Sequence, residues 1–532
     1  MADRLRNSDS LNTPLCDDAA RFYLNLFSAI PQDELRAYLL SQRWFRSKGE
    51  KITAVSVFDA ASAQGTLLPA LLMFLQIDYA GRGPEIYFAP YVVLDSKNAS
   101  VSAMTEPPLL SFSDNGTKYL FFDAFLDGNF NSWLFKQMTE SAALTTCSGL
   151  IRFQPEADSA GLLTVKGEVK KMKGEQSNTS LVADKTWVLK VIRMADREIN
   201  PEADMLRYLT RCGYKNVPQF RGDAIYQTSK DDSSTFAILV DFVKSRSDGW
   251  EFTLQYLDGY YGRHAAGSSG EINWEAAERD IRSSLPEFEE LGRVTAEMHH
   301  ALASDTSDPL FLPESSKEAD AARWLESFTT LLNRTSGAAE AALKRELPAS
   351  SEALYREFLN SSAAINRKAE NVRRFAARGI LKIRYHGDYH LGQVLKTEKS
   401  WCVTDFEGEP LRSIAERKQK TSPLKDVAGM LRSFSYAAYV SEYEYLKKKS
   451  AANLRGLGSL WHELVRGAYL NAYRETAGSR GGLFALETSD FMELLSFFEL
   501  EKAVYELNYE INNRPDWAHV PLSGIKRLAA GT

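Results

Sequence analysis

The 532-residue sequence has little cysteine and histidine, with four and seven residues respectively. The cysteines lie far apart, in no spacing typical of metal ligands or disulfides: Cys16, Cys147, Cys212 and Cys402. This pattern argues against a zinc site, and it predicts reduced thiols and a cytoplasmic location. Residues 1–6 are not followed by the apolar segment and cleavage site of a signal peptide, so we expect no secretion signal.

Long apolar runs and an excess of positive charge are also missing. No apolar segment is long enough to cross a bilayer, so we expect no membrane association. The net charge of −6 gives no electrostatic reason to expect nucleic-acid binding. Hydrophobic residues make up 44% and charged residues 25%, which is typical of a folded protein. A chain of this length exceeds one compact core, and we predict two or three domains.

The most informative segment combines two aspartates and an amide. Asp388 follows a His-Gly pair, Gln393 stands five positions later, and Asp405 opens a Gly-containing turn. Phosphoryl transfer needs an oriented proton acceptor and oxygen ligands for a hard cation such as Mg²⁺. Asp388 suits the first role, and Gln393 with Asp405 suits the second.

A His-Gly-Asp triplet also occurs in ordinary loops, where the aspartate binds nearby backbone amides. Short apolar runs at 383–385 and 401–403 predict two strands, one before each aspartate. We therefore expect both carboxylates to leave neighbouring strand ends, and this arrangement favours the catalytic interpretation.

A sheet-rich segment follows the N-terminal part of the chain, with strands predicted at 163–168, 180–183 and 186–192. Polar residues before the second of these strands could donate hydrogen bonds to phosphates in place of glycines: Gln176, Ser177, Asn178, Thr179 and Ser180. A polar hairpin turn is the alternative interpretation of these residues.

Lys190 lies inside the apolar run at 186–192, where a lysine is costly unless it meets an anion. Glu202 follows Pro201 near the start of the next predicted helix, and a Lys190–Glu202 pair would hold the lysine ready for nucleotide phosphates. An edge-strand lysine that points to water is the alternative. Residues 236–243, which include Asp241 and Val243, resemble a connection between lobes whose backbone could meet an adenine edge.

Apolar periodicity predicts a different organisation on either side of the sheet-rich segment. Before it, we expect a helix at 21–48 and strands at 55–58, 71–77, 86–89 and 119–123. From about residue 250 onward the pattern is helical, with a core helix at 288–302 and two amphipathic helices between 303 and 378 that are separated near 335–337. His299 and His300 are adjacent on a helix and cannot both face one metal ion.

Several of these motifs together resemble those of the maltokinase family. They lie at 42–45, 176–180, 386–393, 405–410, 422–433, 501–506 and 513–517, so the resemblance spans nearly the whole chain. It implies an α+β, bilobal protein-kinase-like fold similar to that of aminoglycoside phosphotransferases. The expected parts are an N-terminal α+β cap at 1–128, a sheet-rich N-lobe at 129–243 and a mainly helical C-lobe at 244–532.

The resemblance also implies an activity, the transfer of the γ-phosphate of ATP to the anomeric hydroxyl of maltose. The product would be maltose 1-phosphate, a precursor for α-glucan synthesis, with trehalose synthase as a possible partner. Asp388 would be the catalytic base, Gln393 and Asp405 the Mg²⁺ ligands, and Lys190 and Glu202 would position the phosphates. The resemblance places five further residues around the sugar: His390, Glu407, Tyr509, Arg514 and Trp517.

The C-terminal members of that set also suit a sugar on physical grounds. A guanidinium binds sugar hydroxyls in bidentate fashion, and an indole stacks on the apolar face of the ring. Arg514 and Trp517 supply both groups, with Asp516 between them. The alternative is a helix that Pro515 ends, with Trp517 packed into the lobe.

Two other functions fit parts of the sequence. A related sugar kinase, such as a glucosamine kinase, could use Asp516 or Glu407 to bind an amino group in place of a hydroxyl. A kinase-like domain without activity is the third interpretation. The presence of four candidate site residues argues against it: Lys190, Asp388, Gln393 and Asp405.

Overall fold

The structure is a computed structural model that describes residues 16–157, 159, 163–172, 177–229, 232–266, 270–304, 307–345, 349–376, 379–409, 412–449, 453–454, 456–479 and 488–530. The chain divides into two compact units. The first consists of Met1–Arg207 with Pro218–Lys244, and the second of Tyr208–Val217 with Ser245–Thr532. The boundary expected at residue 128 falls inside the first unit, where a separate cap domain stays a prediction.

The first unit is built on two antiparallel sheets. The strands of the first sheet are Ile52–Ser62 (β1), Ala70–Tyr79 (β2), Glu85–Phe88 (β3), Tyr91–Asp95 (β4), Leu110–Asp114 (β5) and Thr117–Asp123 (β6), in the order β1-β2-β4-β6-β5 with β3 paired to β2. Those of the second are Ala143–Thr145 (β7), Leu150–Pro155 (β8), Val169–Lys171 (β9), Thr179–Ala183 (β10), Trp187–Val191 (β11), Phe220–Ser229 (β12) and Asp232–Asp241 (β13), in the order β7-β8-β12-β13-β11-β10-β9.

Four helices accompany these sheets: Asp18–Ser28 (α1), Gln32–Ser41 (α2), Gly128–Thr139 (α3) and Pro201–Arg211 (α4). Apolar side chains from both sheets form one continuous core. Phe74 of β2 and Tyr226 of β12 lie in it with their ring centres 4.0 Å apart. Strand β2 is apolar over most of its length and almost wholly buried, which fits its position inside the first sheet.

Two predicted elements of the first unit are wrong. The helix expected at 21–48 is split into α1 and α2 because Pro31 has extended backbone and precedes α2, and α2 ends at Ser41. The strand expected at 163–168 does not form. Lys166 donates its backbone N–H to the Asp184 carboxylate at 2.7 Å, and β9 pairs with β10 instead.

The second unit is mainly helical. Its helices are Gly249–His264 (α5), Trp274–Leu302 (α6), Glu318–Ala342 (α7), Ala349–Ala369 (α8), Val372–Ala376 (α9), Ile414–Arg417 (α10), Leu424–Lys448 (α11), Leu457–Ser479 (α12), Thr488–Asn513 (α13) and His519–Ala530 (α14). Its short strands are Ser247–Asp248 (β14), Glu314–Ser315 (β15), Leu381–Lys382 (β16), Val394–Lys396 (β17) and Trp401–Val403 (β18). Strands β14, β17 and β18 form one sheet, and β15 pairs with β16.

Two predicted boundaries in this unit are also wrong. Helix α7 continues through 335–337, where Thr335 is buried and its hydroxyl donates to the carbonyl of Leu331. Strand β16 ends at Lys382, before the strand that was expected at 383–385. The strand that pairs with β18 is β17, which follows the Asp388 loop in the chain rather than preceding it.

Cys16 and Cys147 form a disulfide, with sulfur atoms 2.17 Å apart. This contradicts the expectation of unpaired cysteines. The two residues are 131 positions apart, and only the folded chain brings them together. The cysteine spacing therefore does not support the inference of a reducing compartment. Among the described helices, none combines the length and apolar character that crossing a membrane requires.

Candidate active site

A buried aspartate of α11 holds the loop that carries Asp388. Asp426 accepts the backbone N–H groups of His386 and Gly387 at 2.7 and 2.9 Å, and Nε2 of His299 lies 3.2 Å from it. Asp426 is 2% exposed. Asp426 lies within the motif at 422–433, where the sequence alone indicates no role for it. Its bonds fix the backbone directly before Asp388, and they also explain His299, which belongs to this network rather than to a metal site with His300.

The carboxylate of Asp388 lies close to two basic side chains. Lys502 Nζ is 3.5 Å from Oδ1, and His390 Nε2 is 3.9 Å from Oδ2. The Asp388 side chain is 24% exposed, so water or a substrate can still reach it. Gly387 has φ +88°, which only glycine adopts without strain, and this turn directs the chain into the loop.

Lys502 on α13 is a member of the site that the sequence analysis missed. Burial lowers its pKa, but the negative charges of Asp388, Glu409 and Glu506 outweigh burial and raise the pKa above its usual value. The side chain is therefore protonated at neutral pH, beside the carboxylate of Asp388. The 501–506 motif contained this residue, but a lysine on a helix gives no sequence signal that it reaches a loop more than 100 positions away.

His390 occupies the other side of Asp388 as a neutral imidazole. Burial lowers its pKa, Asp388 opposes this, and the charge of Lys502 lowers it further. Nδ1 accepts the backbone N–H of Gly392 at 3.0 Å, which places the ring proton on Nε2, facing Asp388. The negative charges of Asp388 and Asp405 both act to raise this pKa, but burial outweighs them.

Gln393 and Asp405 meet at the end of the β17–β18 pair. The Gln393 amide donates to Asp405 Oδ2 at 2.9 Å, and the backbone N–H of Thr404 donates to the Gln393 carbonyl, also at 2.9 Å. Asp405 has φ +65°, an unusual value for a residue with a side chain. An amide and a carboxylate are oxygen donors of the kind that Mg²⁺ prefers, and the pair fits the predicted ligand set.

The two loops are tied to each other and to a buried turn. His386 Nε2 lies 2.9 Å from the Thr404 carbonyl, next to Asp405. Glu407 is buried in the same turn, where its backbone carbonyl accepts Nη1 of Arg417 at 3.3 Å. The side chain of Glu409 accepts Nε of Arg412 at 2.7 Å.

The predicted lysine–glutamate pair forms within the first unit. Lys190 Nζ donates to Glu202 Oε2 at 2.6 Å, with side chains 16% and 7% exposed. Strand β11 lies between β10 and β13, so the alternative of an edge-strand lysine in water is wrong. Asn200 Oδ1 accepts the backbone N–H of Glu202 at 2.8 Å and fixes the start of α4.

The other residues predicted to bind nucleotide do not all lie in the loop where they were expected. Gln176 lies outside the described residues. Ser177 and Asn178 precede β10, whereas Thr179 and Ser180 belong to that strand rather than to a loop. Thr179 Oγ1 accepts Nε of Arg193 at 2.9 Å, which gives this side chain a structural partner.

The last two of these residues are Asp241, with which β13 ends, and Val243, two positions later. Asp241 accepts Nε and Nη2 of Arg221, both at 2.7 Å, so its carboxylate is engaged in a bidentate pair. Val243 is half-buried in the segment that follows. Contact between this backbone and a nucleotide base stays a prediction.

The end of α13 brings the predicted sugar-binding residues together. The Arg514 guanidinium lies 5.4 Å from the ring centre of Tyr509 and 4.8 Å from that of Trp517. It also donates to both carboxylate oxygens of Glu510, at 2.9 and 2.7 Å. Trp517 lies in a short 3-10 turn that begins at Pro515, so the helix break expected in the alternative interpretation does occur. Trp517 is only half-buried, and part of it remains accessible.

The spacing of residues along α13 relates the Arg514 cluster to Asp388, because Lys502 on the same helix lies 3.5 Å from the Asp388 carboxylate. Tyr509 stands seven residues after Lys502, hence on the same face of α13 and about 10 Å further along its axis. Tyr505 lies between them. Burial and then the carboxylate of Glu409 raise its pKa, so its hydroxyl stays protonated. This face therefore carries a lysine and two tyrosines that can contact a polar acceptor molecule.

No known protein-family model matches the chain. It is 24% identical over 367 residues to the glucosamine kinase of Mycolicibacterium smegmatis, across 69% of this chain and 80% of that protein. It is 25% identical over 356 residues to the glucosamine kinase of Streptacidiphilus jiangxiensis, across 65% and 70%.

Two solved structures are similar over almost the full length. A glucosamine kinase in complex with glucosamine, ADP and inorganic phosphate has a TM-score of 0.61 and 17% identity, and covers 93% of this chain and 98% of its own. A second crystal form of glucosamine kinase has a TM-score of 0.62, with coverage of 96% and 99%. The predicted fold is thereby confirmed: the chain has the bilobal α+β kinase-like fold.

Proposed function

We propose that the protein is an ATP-dependent sugar kinase and that its acceptor is an amino sugar of the glucosamine type. The observation that carries the proposal is the arrangement around Asp388, whose carboxylate lies 3.5 Å from Lys502 in a loop fixed by Asp426. The Gln393–Asp405 pair supports it because the two side chains offer oxygen donors on the same side of the unit.

Asp388 acts as the proton acceptor. The acceptor oxygen forms a bond to the γ-phosphorus as the bond to the leaving ADP oxygen breaks, and the hydroxyl proton passes to the Asp388 carboxylate. Lys502 orients that carboxylate and balances its charge. The neutral His390 presents an N–H group beside it, and this ring can donate to a sugar oxygen.

Gln393 and Asp405 would hold Mg²⁺, which neutralises phosphate oxygens when bound. The Lys190 ammonium, held by Glu202, supplies a positive charge for nucleotide phosphates from the sheet-rich part of the chain. These assignments follow the chemistry of the donor atoms, since carboxylate and amide oxygens suit a hard cation and an ammonium suits a phosphate.

The choice of acceptor rests on the relatives. Both curated relatives described above carry the name glucosamine kinase, and so do the two similar solved structures. The sequence motifs favoured maltose and an anomeric phosphate, together with a trehalose synthase partner. Maltose is therefore the second candidate, supported by the motifs along the chain that resemble those of the maltokinase family.

A turnover assay with matched sugars tests the proposal. We expect ADP release with glucosamine, much less with glucose, which lacks the amino group, and much less with N-acetylglucosamine, in which that group is uncharged. The position of the phosphate is determined by phosphorus NMR of the product. A product with an anomeric phosphate, formed from maltose but not from glucosamine, would replace the amino-sugar assignment with the maltose one. No ADP release with any sugar would reject the kinase proposal.

A further inference from the structure

The residue that follows Asp388 in the chain, Tyr389, is buried, and the proposed phosphoryl transfer gives it no role. Tyr389 is 2% exposed. Its hydroxyl lies 2.9 Å from Oγ1 of Thr295, a fully buried residue of α6. Thr295 stands 94 positions earlier in the chain, so this contact joins the loop of Asp388 to a distant helix.

The other partners of Thr295 determine which of the two hydroxyls donates. Thr295 Oγ1 donates its proton to the Leu291 carbonyl at 2.8 Å, and it accepts the hydroxyl of Tyr469 on α12 at 3.2 Å. A threonine hydroxyl has one proton and two acceptor positions. The Tyr389 hydroxyl is therefore the donor to Thr295, and the three bonds use the whole hydrogen-bonding capacity of the Thr295 hydroxyl.

The Tyr389 hydroxyl keeps its proton. Burial raises the pKa of this phenol more than the bond with Thr295 lowers it, and the negative charge of Asp426 raises it further. Burial likewise raises the pKa of Tyr469. Both phenols are therefore protonated near neutral pH, and both can donate to Thr295.

Helix α11 contacts the backbone at and after Tyr389. A Cβ atom at Gly429 would lie 2.5 Å from the Tyr389 carbonyl oxygen, so the helix passes next to the loop at a residue without a side chain. Two residues further on, the backbone N–H of Leu391 donates to Ser433 Oγ at 3.1 Å. The start of the loop is held by the same helix through Asp426. The tyrosine side chain adds an attachment to a different helix, α6.

The ring of Tyr389 also packs against His386, with the two ring centres 5.3 Å apart. Nδ1 of His386 accepts the backbone N–H of Asp388 at 3.3 Å, and Nε2 lies 2.9 Å from the Thr404 carbonyl. Tyr389 therefore contacts the imidazole that in turn holds the backbone of Asp388.

The Asp388 carboxylate has looser contacts than the loop that carries it. Lys502 lies 3.5 Å and His390 3.9 Å from its oxygens. The hydroxyls of Tyr389 and Thr295 are 2.9 Å apart. A charge-assisted hydrogen bond that fixes a carboxylate is about 2.7–2.9 Å long. The direction of the carboxylate therefore also depends on the backbone of the loop, and so on the groups that hold this backbone.

We propose that Tyr389 is a positioning residue for the proposed phosphoryl transfer, on which this inference rests. Its hydroxyl, bonded to Thr295, holds the loop so that the Asp388 carboxylate meets the acceptor hydroxyl in the geometry that proton transfer requires. Tyr389 is buried and acts through Asp388 rather than on the substrate. Loss of its hydroxyl therefore slows the transfer and leaves the affinities for sugar and nucleotide almost unchanged.

Steady-state kinetics of the full-length protein test this role, with ATP and with glucosamine or maltose, whichever the wild type phosphorylates. The variants are Tyr389→Phe and its matched control Tyr469→Phe. Each removes one buried hydroxyl that donates to Thr295, but only Tyr389 belongs to the loop of Asp388.

We expect kcat to fall about fivefold to fiftyfold in Tyr389→Phe, below the roughly 10²-fold that a displacement of 1 Å can cost, with both KM values within about twofold of wild type. Tyr469→Phe should keep kcat within about twofold of wild type. Equal kcat in wild type and Tyr389→Phe, or an equal loss in the two variants, would overturn the positioning role alone. A wild type that phosphorylates neither sugar would reject the proposed function, and the role of Tyr389 with it.

Substitutions of Thr295 test the same bond from its other end, and they keep the test valid if Tyr389→Phe does not fold. Thr295→Val loses the hydroxyl, so kcat should fall at least as far as in Tyr389→Phe. Thr295→Ser retains the hydroxyl and should keep kcat within about twofold of wild type. The double variant Tyr389→Phe with Thr295→Val should be no slower than Thr295→Val, because the same bond is already lost. Losses that multiply in the double variant, or a serine variant as slow as the valine one, would assign the effect to packing and overturn the role.

Discussion

Each unit of the protein contains a lysine–carboxylate pair in a largely buried setting, and the two pairs differ in how tightly they close. Lys190 and Glu202 are 2.6 Å apart with little exposure of either side chain. Lys502 and Asp388 are 3.5 Å apart, with side chains 28% and 24% exposed. In the first pair, the ammonium and the carboxylate are in direct contact and little exposed. The second leaves a carboxylate accessible beside a protonated lysine, which is what a proton acceptor for a substrate hydroxyl requires.

The largest effect is expected from Asp388→Asn, which removes the accessible carboxylate of the looser pair. An amide cannot take the hydroxyl proton, so turnover should fall by a factor on the order of 10²–10⁴ with little change in the KM for the sugar. Steady-state kinetics measure this. Asp258→Asn, which alters an exposed carboxylate of α5 that lies 3.5 Å from Lys448, is the control. Equal turnover of Asp388→Asn and wild type would remove the assigned role.

Breaking the tighter pair should instead affect stability. Lys190→Met removes the ammonium that lies 2.6 Å from the buried Glu202 carboxylate, and the free energy of unfolding should drop by about 3–5 kcal/mol. Urea denaturation measures the change. The double variant Lys190→Met with Glu202→Gln should recover part of the loss because no unpaired charge remains. If the single variant were as stable as wild type, the pair would not be closed in solution.

The looser pair should respond in the opposite way when its lysine is removed. Lys502→Met should lower turnover by roughly 10-fold to 100-fold and alter the pH profile of kcat, because the charge that orients Asp388 is lost. Stability should change less than in Lys190→Met, since water can reach Asp388. Lys425→Met, which breaks the Lys425–Glu501 pair at 2.9 Å, is the matched control and should leave turnover within about threefold of wild type. Similar kinetics of the two variants would argue against a role for Lys502.

The buried His462 of α12 gives a further test of how burial acts on a titratable side chain. His462 has its pKa lowered to about 3, below its unfolded value of 6.5. The unfolded chain binds this proton first, so stability should fall as pH drops from about 6.5 towards 3, by about 1.4 kcal/mol per pH unit. His462→Gln should lack this contribution. Parallel stability–pH curves for wild type and variant between pH 6 and 4.5 would mean that His462 is accessible to protons in the fold.

The sequence predicted the local groups of the site better than the elements around them. The Gln393 amide and Asp405 are 2.9 Å apart, and His386 links the loop of Asp388 to the Thr404 carbonyl beside Asp405. The positive φ of Gly387 in this loop is turn chemistry that the sequence makes visible. The predicted strand before Asp388 was wrong, since the ladder partner of β18 comes from after the loop. Short apolar runs do not reveal which strands will pair.

Long-range partners were beyond prediction. The bonds from Asp426 to the loop backbone, the approach of Lys502 to Asp388 and the Cys16–Cys147 disulfide each join segments tens to more than a hundred positions apart. No local pattern encodes such a contact, because many lysines, aspartates and cysteines could make it equally well.

By itself the sequence determined the chemical groups available for phosphoryl transfer and the α+β kinase-like fold that carries them, because turn residues, apolar periodicity and motif spacing act over short distances. The tertiary structure alone decided which charges neutralise one another and which remain available. It closed Lys190 onto Glu202 and left Asp388 accessible beside Lys502. The physical reason is that burial and Coulomb interactions depend on separations in space, which are fixed only when the helices and sheets have packed.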